Sequence, residues 1–148
     1  MTMVTGSAKT AGQPQLAEAR ILVFDRDDDV RDSLKVLLES NGLAIEAFAD
    51  PTEFLTAATS QSADCLILGF NRLIVEGLDM LAALQRSQVQ APAIFVVGGG
   101  NALTRAAALG AGADAYLERP IEESTLIRAL VDALPRRQTR ALLQSKQG

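Results

Sequence analysis

Histidine is absent from this chain, tryptophan is absent too, and cysteine and tyrosine occur once each. Without histidine there are no imidazole metal ligands, no triads with a histidine base and no phosphohistidine donor. The lone cysteine, Cys65, stands in the apolar stretch Cys65-Leu66-Ile67-Leu68 and reads as a small buried hydrophobe. No apolar run approaches the roughly 20 residues that a helix needs to cross a bilayer. Met1 to Arg20 lacks the charged-then-apolar order of a signal peptide. The expected location is cytoplasmic, with no membrane partner.

What is present suits one packed domain. The chain has 148 residues, 48% apolar and 22% charged, and a chain of this size buries about two thirds of its unfolded surface. Net charge is -4, unevenly placed. Pro135 to Gly148 carries Arg136, Arg137, Arg140 and Lys146 with no acid, a composition that reads as a solvated basic tail or linker. Residues 1–19 are rich in Ala, Gly, Thr, Ser and Gln without apolar period and read as a flexible leader. The domain is expected over 20–134.

Within those limits one unit recurs. Ile21-Leu22-Val23-Phe24 is a continuous apolar run, the mark of a strand buried on both faces of a parallel sheet. Val30 to Ser40 has apolar residues at helical spacing and stops at Asn41-Gly42. Strands are expected next at Leu43–Phe48, Cys65–Leu68, Pro92–Val97 and Ala115–Leu117. Helices are expected at Pro51–Ala58, Gly77–Arg86, Asn101–Leu109 and Ile121–Leu134. Strict alternation implies right-handed crossovers and a doubly wound five-stranded parallel sheet, an α/β fold of strand order 2-1-3-4-5. The ligand crevice of such a sheet lies beyond the carboxyl ends of strands 1 and 3.

The residues at that crevice carry a resemblance. Ile21-Leu22-Val23-Phe24-Asp25, Val30-Arg31-Asp32-Ser33-Leu34, the Leu66-Ile67-Leu68 strand, Glu76-Gly77-Leu78 and Tyr116-Leu117-Glu118-Arg119-Pro120 together resemble a bacterial response-regulator receiver domain, a flavodoxin-like fold. The resemblance implies an acidic pair after strand 1 that holds Mg²⁺, and an aspartate after strand 3 that accepts a phosphoryl group. It also implies a threonine or serine after strand 4 and a lysine before a proline after strand 5. Here Asp25 keeps the first acid, Arg26 replaces the second, Gly69 replaces the acceptor, Val97 the hydroxyl residue and Arg119 the lysine. Tyr116 takes the place of the switch aromatic.

No neighbouring carboxylate makes up the loss. Asp64 precedes the strand, about 13 Å from the crevice at roughly 3.3 Å per residue. Asp27, Asp28 and Asp29 read as a polar loop in which Asp28 or Asp29 caps the first helix. An arginine paired with Asp25 would take the place of a hydrated metal, so no tight Mg²⁺ site, and no cofactor, is expected. Gly98-Gly99-Gly100 lacks dinucleotide and P-loop spacing and reads as a loop needing flexible backbone angles. Ala106-Ala107-Ala108 reads as good helix propensity and close packing.

No nucleophile with a base, and no paired acids, converge at the crevice, so no enzyme is expected. The leading expectation is a pseudo-receiver, a phosphorylation-independent signalling module. It would bind a protein partner through helix 1 or through the face of helix 4, strand 5 and helix 5, or a second copy through that face. One alternative is the regulatory part of a longer transcription factor or signalling enzyme, with Pro135 to Gly148 the start of its linker and Leu134, Ala141 and Leu142 continuing a helix toward an output domain. Another is a sensor binding an anionic small molecule between Arg26 and Arg119. No helix-turn-helix is present, so no direct nucleic-acid partner is expected.

Overall fold

The computed structural model describes residues 19–71 and 74–147. Five strands and five helices alternate: β1 (Arg20–Phe24), α1 (Asp28–Glu39), β2 (Ala44–Phe48), α2 (Pro51–Ser60), β3 (Cys65–Asn71), α3 (Ile74–Arg86), β4 (Ala93–Gly98), α4 (Ala102–Gly110), β5 (Ala115–Glu118) and α5 (Glu123–Gln147). The sheet is parallel in the order β2-β1-β3-β4-β5.

Apolar side chains fill both faces of the sheet, which is why the strands read as unbroken hydrophobic runs. Ile21, Val23, Cys65, Ile67, Ile94 and Val96 pack with Leu34 and Leu38 of α1 and with Leu126, Leu130 and Leu134 of α5. Their neighbours Leu22, Phe24, Leu66, Leu68, Phe95 and Val97 pack on the other side with Phe54 of α2, Met80 and Leu81 of α3 and Ala108 of α4. Phenylalanines link that second core, with ring centroids 5.9 Å apart for Phe24–Phe54, 5.8 Å for Phe24–Phe70 and 5.6 Å for Phe70–Phe95. Gly77 lets α3 lie against this row: a Cβ there would meet Phe70 Cε2 at 2.6 Å.

Several expectations change, among them the start of α3, which lies at Ile74 rather than Gly77. Asp27, not Asp28 or Asp29, caps α1, its carboxylate accepting from Asp29 N at 2.9 Å and Val30 N at 3.1 Å. The helix therefore begins two residues early, and Asp28 and Asp29 fill its first turn, where negative charge suits the helix dipole. Asp27→Ala should cost about 1 kcal/mol, the usual value of such a cap, read as a lower urea midpoint at unchanged slope. The third strand runs on to Asn71, because Phe70 and Asn71 still pair with Val97 and Gly98. Finally α5 continues past Leu134, through Pro135, to Gln147. The helix was expected to close at Leu134 with a basic tail or linker beyond it, but the following Arg, Gln, Ala and Leu residues are good helix formers and outweigh one proline. Residues 1–18 of the expected leader lie outside the described residues.

In α4 the alanine run divides: Ala108 is buried while Ala106 and Ala107 face out. Close packing therefore accounts for one of the three. Among the described residues, no helix is long and apolar enough to cross a membrane.

Candidate functional site

Asp25 leaves β1 at its carboxyl end, and Gly69 stands one step beyond the Leu68 that pairs with Phe24. The two residues are thus neighbours across the sheet. Asp25 is the one buried charged residue among those described, and every polar group it has is engaged. Its N–H donates to Phe48 O at 3.1 Å, and its carbonyl accepts from Arg31 Nη1 at 2.7 Å. Its Oδ1 accepts from Asp27 N at 2.9 Å and its Oδ2 from Arg119 Nη2 at 2.5 Å.

Arg119 reaches this carboxylate from the end of β5, anchored by its own N–H on Val97 O at 3.0 Å. Its second terminal nitrogen, Nη1, donates to Asn71 Oδ1 at 3.1 Å. Nε is buried and finds no hydrogen-bond partner among the described residues. The guanidinium thus bridges the ends of β1 and β3. Gly98 makes room for this bridge, since a Cβ there would stand 2.5 Å from Asn71 Oδ1.

The ion pair occupies the space over Gly69. A Cβ on residue 69 would overlap Asp25 Oδ2, stand 2.8 Å from Asp25 Cγ and 3.1 Å from Arg119 Nη2. One guanidinium nitrogen and a carboxylate therefore lie where a side chain at position 69 would begin. Burial pushes the Asp25 carboxyl above its ordinary value; the Asp27 N–H and the Arg119 charge pull it down without cancelling that penalty.

The other expected residues are placed differently. Arg26 is exposed and turns away from Asp25 to Glu76 of α3, donating through Nε at 3.3 Å and through Nη2. Glu76 also holds the Arg26 guanidinium above its ordinary value. Val97 is fully buried on the phenylalanine side of the sheet, with its side chain in the core. Tyr116 is buried, its hydroxyl 2.9 Å from Thr104 Oγ1 and 3.4 Å from Glu118 Oε2. A shallow cavity of about 300 Å³ remains at the crevice, lined by Asp25, Arg26, Asp27, Gly69, Phe70, Asn71 and Glu76.

Asn71 and Thr104 escaped the sequence reading of the site, and Arg31 and Glu76 entered it only within the resemblance, with no role of their own. Asn71 and Glu76 lie on either side of the β3–α3 connection, which was expected to begin at Gly69. A polar Asn ending an apolar strand was the available signal.

The response regulator receiver domain family model matches residues 21–131. The response regulator protein TodT of Pseudomonas putida is 32% identical over 114 residues, 77% of this chain and 50% of TodT. Nodulation protein W of Bradyrhizobium diazoefficiens is 32% identical over 137 residues, 90% of this chain and 60% of that protein. A response regulator receiver domain protein from Clostridium thermocellum superposes with a TM-score of 0.74 at 27% identity, covering 82% of this chain and 98% of that one. The chain spans about half the length of the curated relatives it matches. The strand order, the crevice at the ends of β1 and β3, and a family match running from the first strand into the last helix agree: the chain belongs to the response-regulator receiver family.

Proposed function

We propose that this receiver domain signals without being phosphorylated, as a pseudo-receiver that works through protein contacts. The observation that carries this reading is the Asp25–Arg119 pair standing over Gly69. A phosphoryl acceptor must present a nucleophile, and glycine has none. The one carboxylate at this point is neutralised by a guanidinium and buried.

The residues present do not fit a divalent cation either. Magnesium binds through one or two carboxylates along with waters and phosphate oxygens. Here Oδ2 of Asp25 is taken by Arg119, and the neighbouring position is Arg26. At about 5 Å and an effective dielectric near 20, a divalent ion and a unit positive charge repel by roughly 7 kcal/mol.

Acetyl phosphate with Mg²⁺ should leave the intact mass of the chain unchanged. A stable gain of one phosphoryl group, lost on replacing Asp25 or Asp27, would overturn the reading. Micromolar Mg²⁺ binding by calorimetry, lost in Asp25→Ala, would do the same.

The surface offered to a partner is the face made by α4, β5 and α5. Its grooves are lined by Arg105 and Arg128 together with Glu118, Glu122 and Asp132. Mixed charge of this kind is self-complementary under two-fold symmetry, and Leu103 adds an exposed apolar side chain. A second copy or a signalling protein is the proposed occupant. The reading of the chain as the regulatory part of a longer protein is favoured by the extended α5 and by the half-length span of its relatives. The anion-sensor reading loses support, because Arg26 and Arg119 are each paired with a carboxylate.

A further inference from the structure

We propose that Tyr116 is held permanently inward by Thr104 and by the absence of a side chain at Gly100, so that the α4–β5–α5 face has one preset arrangement needing no ligand. This rests on the reading of that face as the docking surface.

The constraint on the ring begins in the loop between β4 and α4. Three successive glycines, Gly98, Gly99 and Gly100, look like a demand for unusual backbone angles, yet only Gly99 has a positive φ, of 75°. Gly100 has a backbone that any residue could adopt, so its reason for being glycine is space. A Cβ there would overlap the Tyr116 hydroxyl and stand 2.9 Å from Thr104 Oγ1. The ring thus fills the volume that an alanine at position 100 would need.

Thr104 holds the hydroxyl from the helix side. Its Oγ1 accepts from Asn101 N at 2.7 Å, lies 2.8 Å from Asn101 O and lies 2.9 Å from Tyr116 Oη. The capping box that starts α4 is therefore the same group that fixes the ring. Arg105, one residue on, lies 5.9 Å from the ring centroid and donates to Tyr116 O at 3.4 Å. Val97, whose side chain is in the core, contributes no polar contact to this arrangement. The polar contacts that hold the ring therefore come from α4 and from its own strand, and neither Asp25 nor Arg119 supplies one of them. A rigid face of this kind presents one surface to a partner at all times, which is what a module without a covalent input requires.

Composition supplies a clean probe. Tyr116 is the only tyrosine and there is no tryptophan, so tyrosine emission reports this one ring. Acrylamide should quench the folded chain far less than the urea-unfolded chain. Gly100→Ala and the isosteric Thr104→Val should each raise quenching several-fold while far-UV circular dichroism stays native. Thr104→Ser, which keeps the hydroxyl, should quench like the wild type, and so should Asn101→Ala, which weakens the helix cap alone.

Quenching of the wild type as strong as that of the unfolded chain would overturn the lock, and needs no variant to fold. Wild-type quenching in both Gly100→Ala and Thr104→Val would overturn it as well. Sedimentation of the same variants separates the two ideas. If quenching rises but self-association or partner binding is unchanged, the lock stands and the docking-face reading falls.

Discussion

Restoring an aspartate at the end of β3 should destabilise the domain and leave it unphosphorylated. Gly69→Asp places a Cβ inside the volume of the Asp25 carboxylate, with Asp25 Cγ only 2.8 Å away. Overpacking a well-filled site costs about 1–3 kcal/mol. A second carboxylate beside a buried one adds like-charge repulsion, offset in part by the single guanidinium between them. The expected loss is about 2 kcal/mol, or a fall in Tm of roughly 5 to 10 °C. Acetyl phosphate with Mg²⁺ should still add no mass, because Arg119 would hold the new carboxylate and no second acid stands at position 26.

The decisive control is the double variant. Gly69→Asp with Asp25→Ala removes the overlap and lets the new carboxylate reach Arg119, whose Nη2 is 3.1 Å from the added Cβ. It should therefore regain much of the lost stability, giving a large favourable coupling between two contacting positions. A single Gly69→Asp variant that is as stable as the parent, or that gains a phosphoryl group, would show that Asp25 and Arg119 yield easily.

This coupling marks where sequence reading reached its limit. The strands were legible because residues such as Ile21 to Phe24 are buried on both faces, and continuous burial leaves a continuous apolar run. The strand order followed from alternation, and with it the adjacency of Asp25 and Gly69. Which arginine meets Asp25 was not legible. Arg26 is its neighbour in sequence, yet it pairs with Glu76, while Arg119 arrives from a strand end far along the chain. Partner choice here depends on side-chain direction at two strand ends, which no periodicity encodes. Glycine was ambiguous for a similar reason. Gly98 and Gly100 answer to neighbouring side chains, and only Gly99 answers to backbone angle. The basic run after Leu134 read as a tail or linker from its charge, yet the helix carries on through Pro135 to Gln147, because charge composition does not distinguish a solvated helix from a solvated linker.

Arg119→Met should be the most damaging single change at the crevice, and the damage should depend on pH. Asp25 has a side chain only 5% exposed and Arg119 one 20% exposed, so removing the guanidinium strands a buried carboxylate. Breaking a buried pair from one side costs about 3–5 kcal/mol. Replacing both partners, Asp25→Asn with Arg119→Met, should recover most of it, since no charge is then left without a counterpart. The pH dependence follows from the direction in which Asp25 is already shifted. Its carboxyl is raised in the folded chain, so the fold binds that proton more tightly than the unfolded chain does. The associated stability is complete below the ordinary Asp range and is lost as pH rises through the folded value. Removing Arg119 takes away one of the groups that lower the carboxyl, so the folded value climbs and the window of loss extends upward. The deficit of Arg119→Met relative to the parent should be largest near pH 7 and should shrink toward about pH 4, where Asp25 can take its proton in both states. Urea denaturation of both proteins at several pH values measures this as a difference, in which titrations common to the two cancel. A deficit that stays constant across that range would assign the loss to the packing of the arginine stem, and the charge pair over Gly69 would then hold little of the fold together.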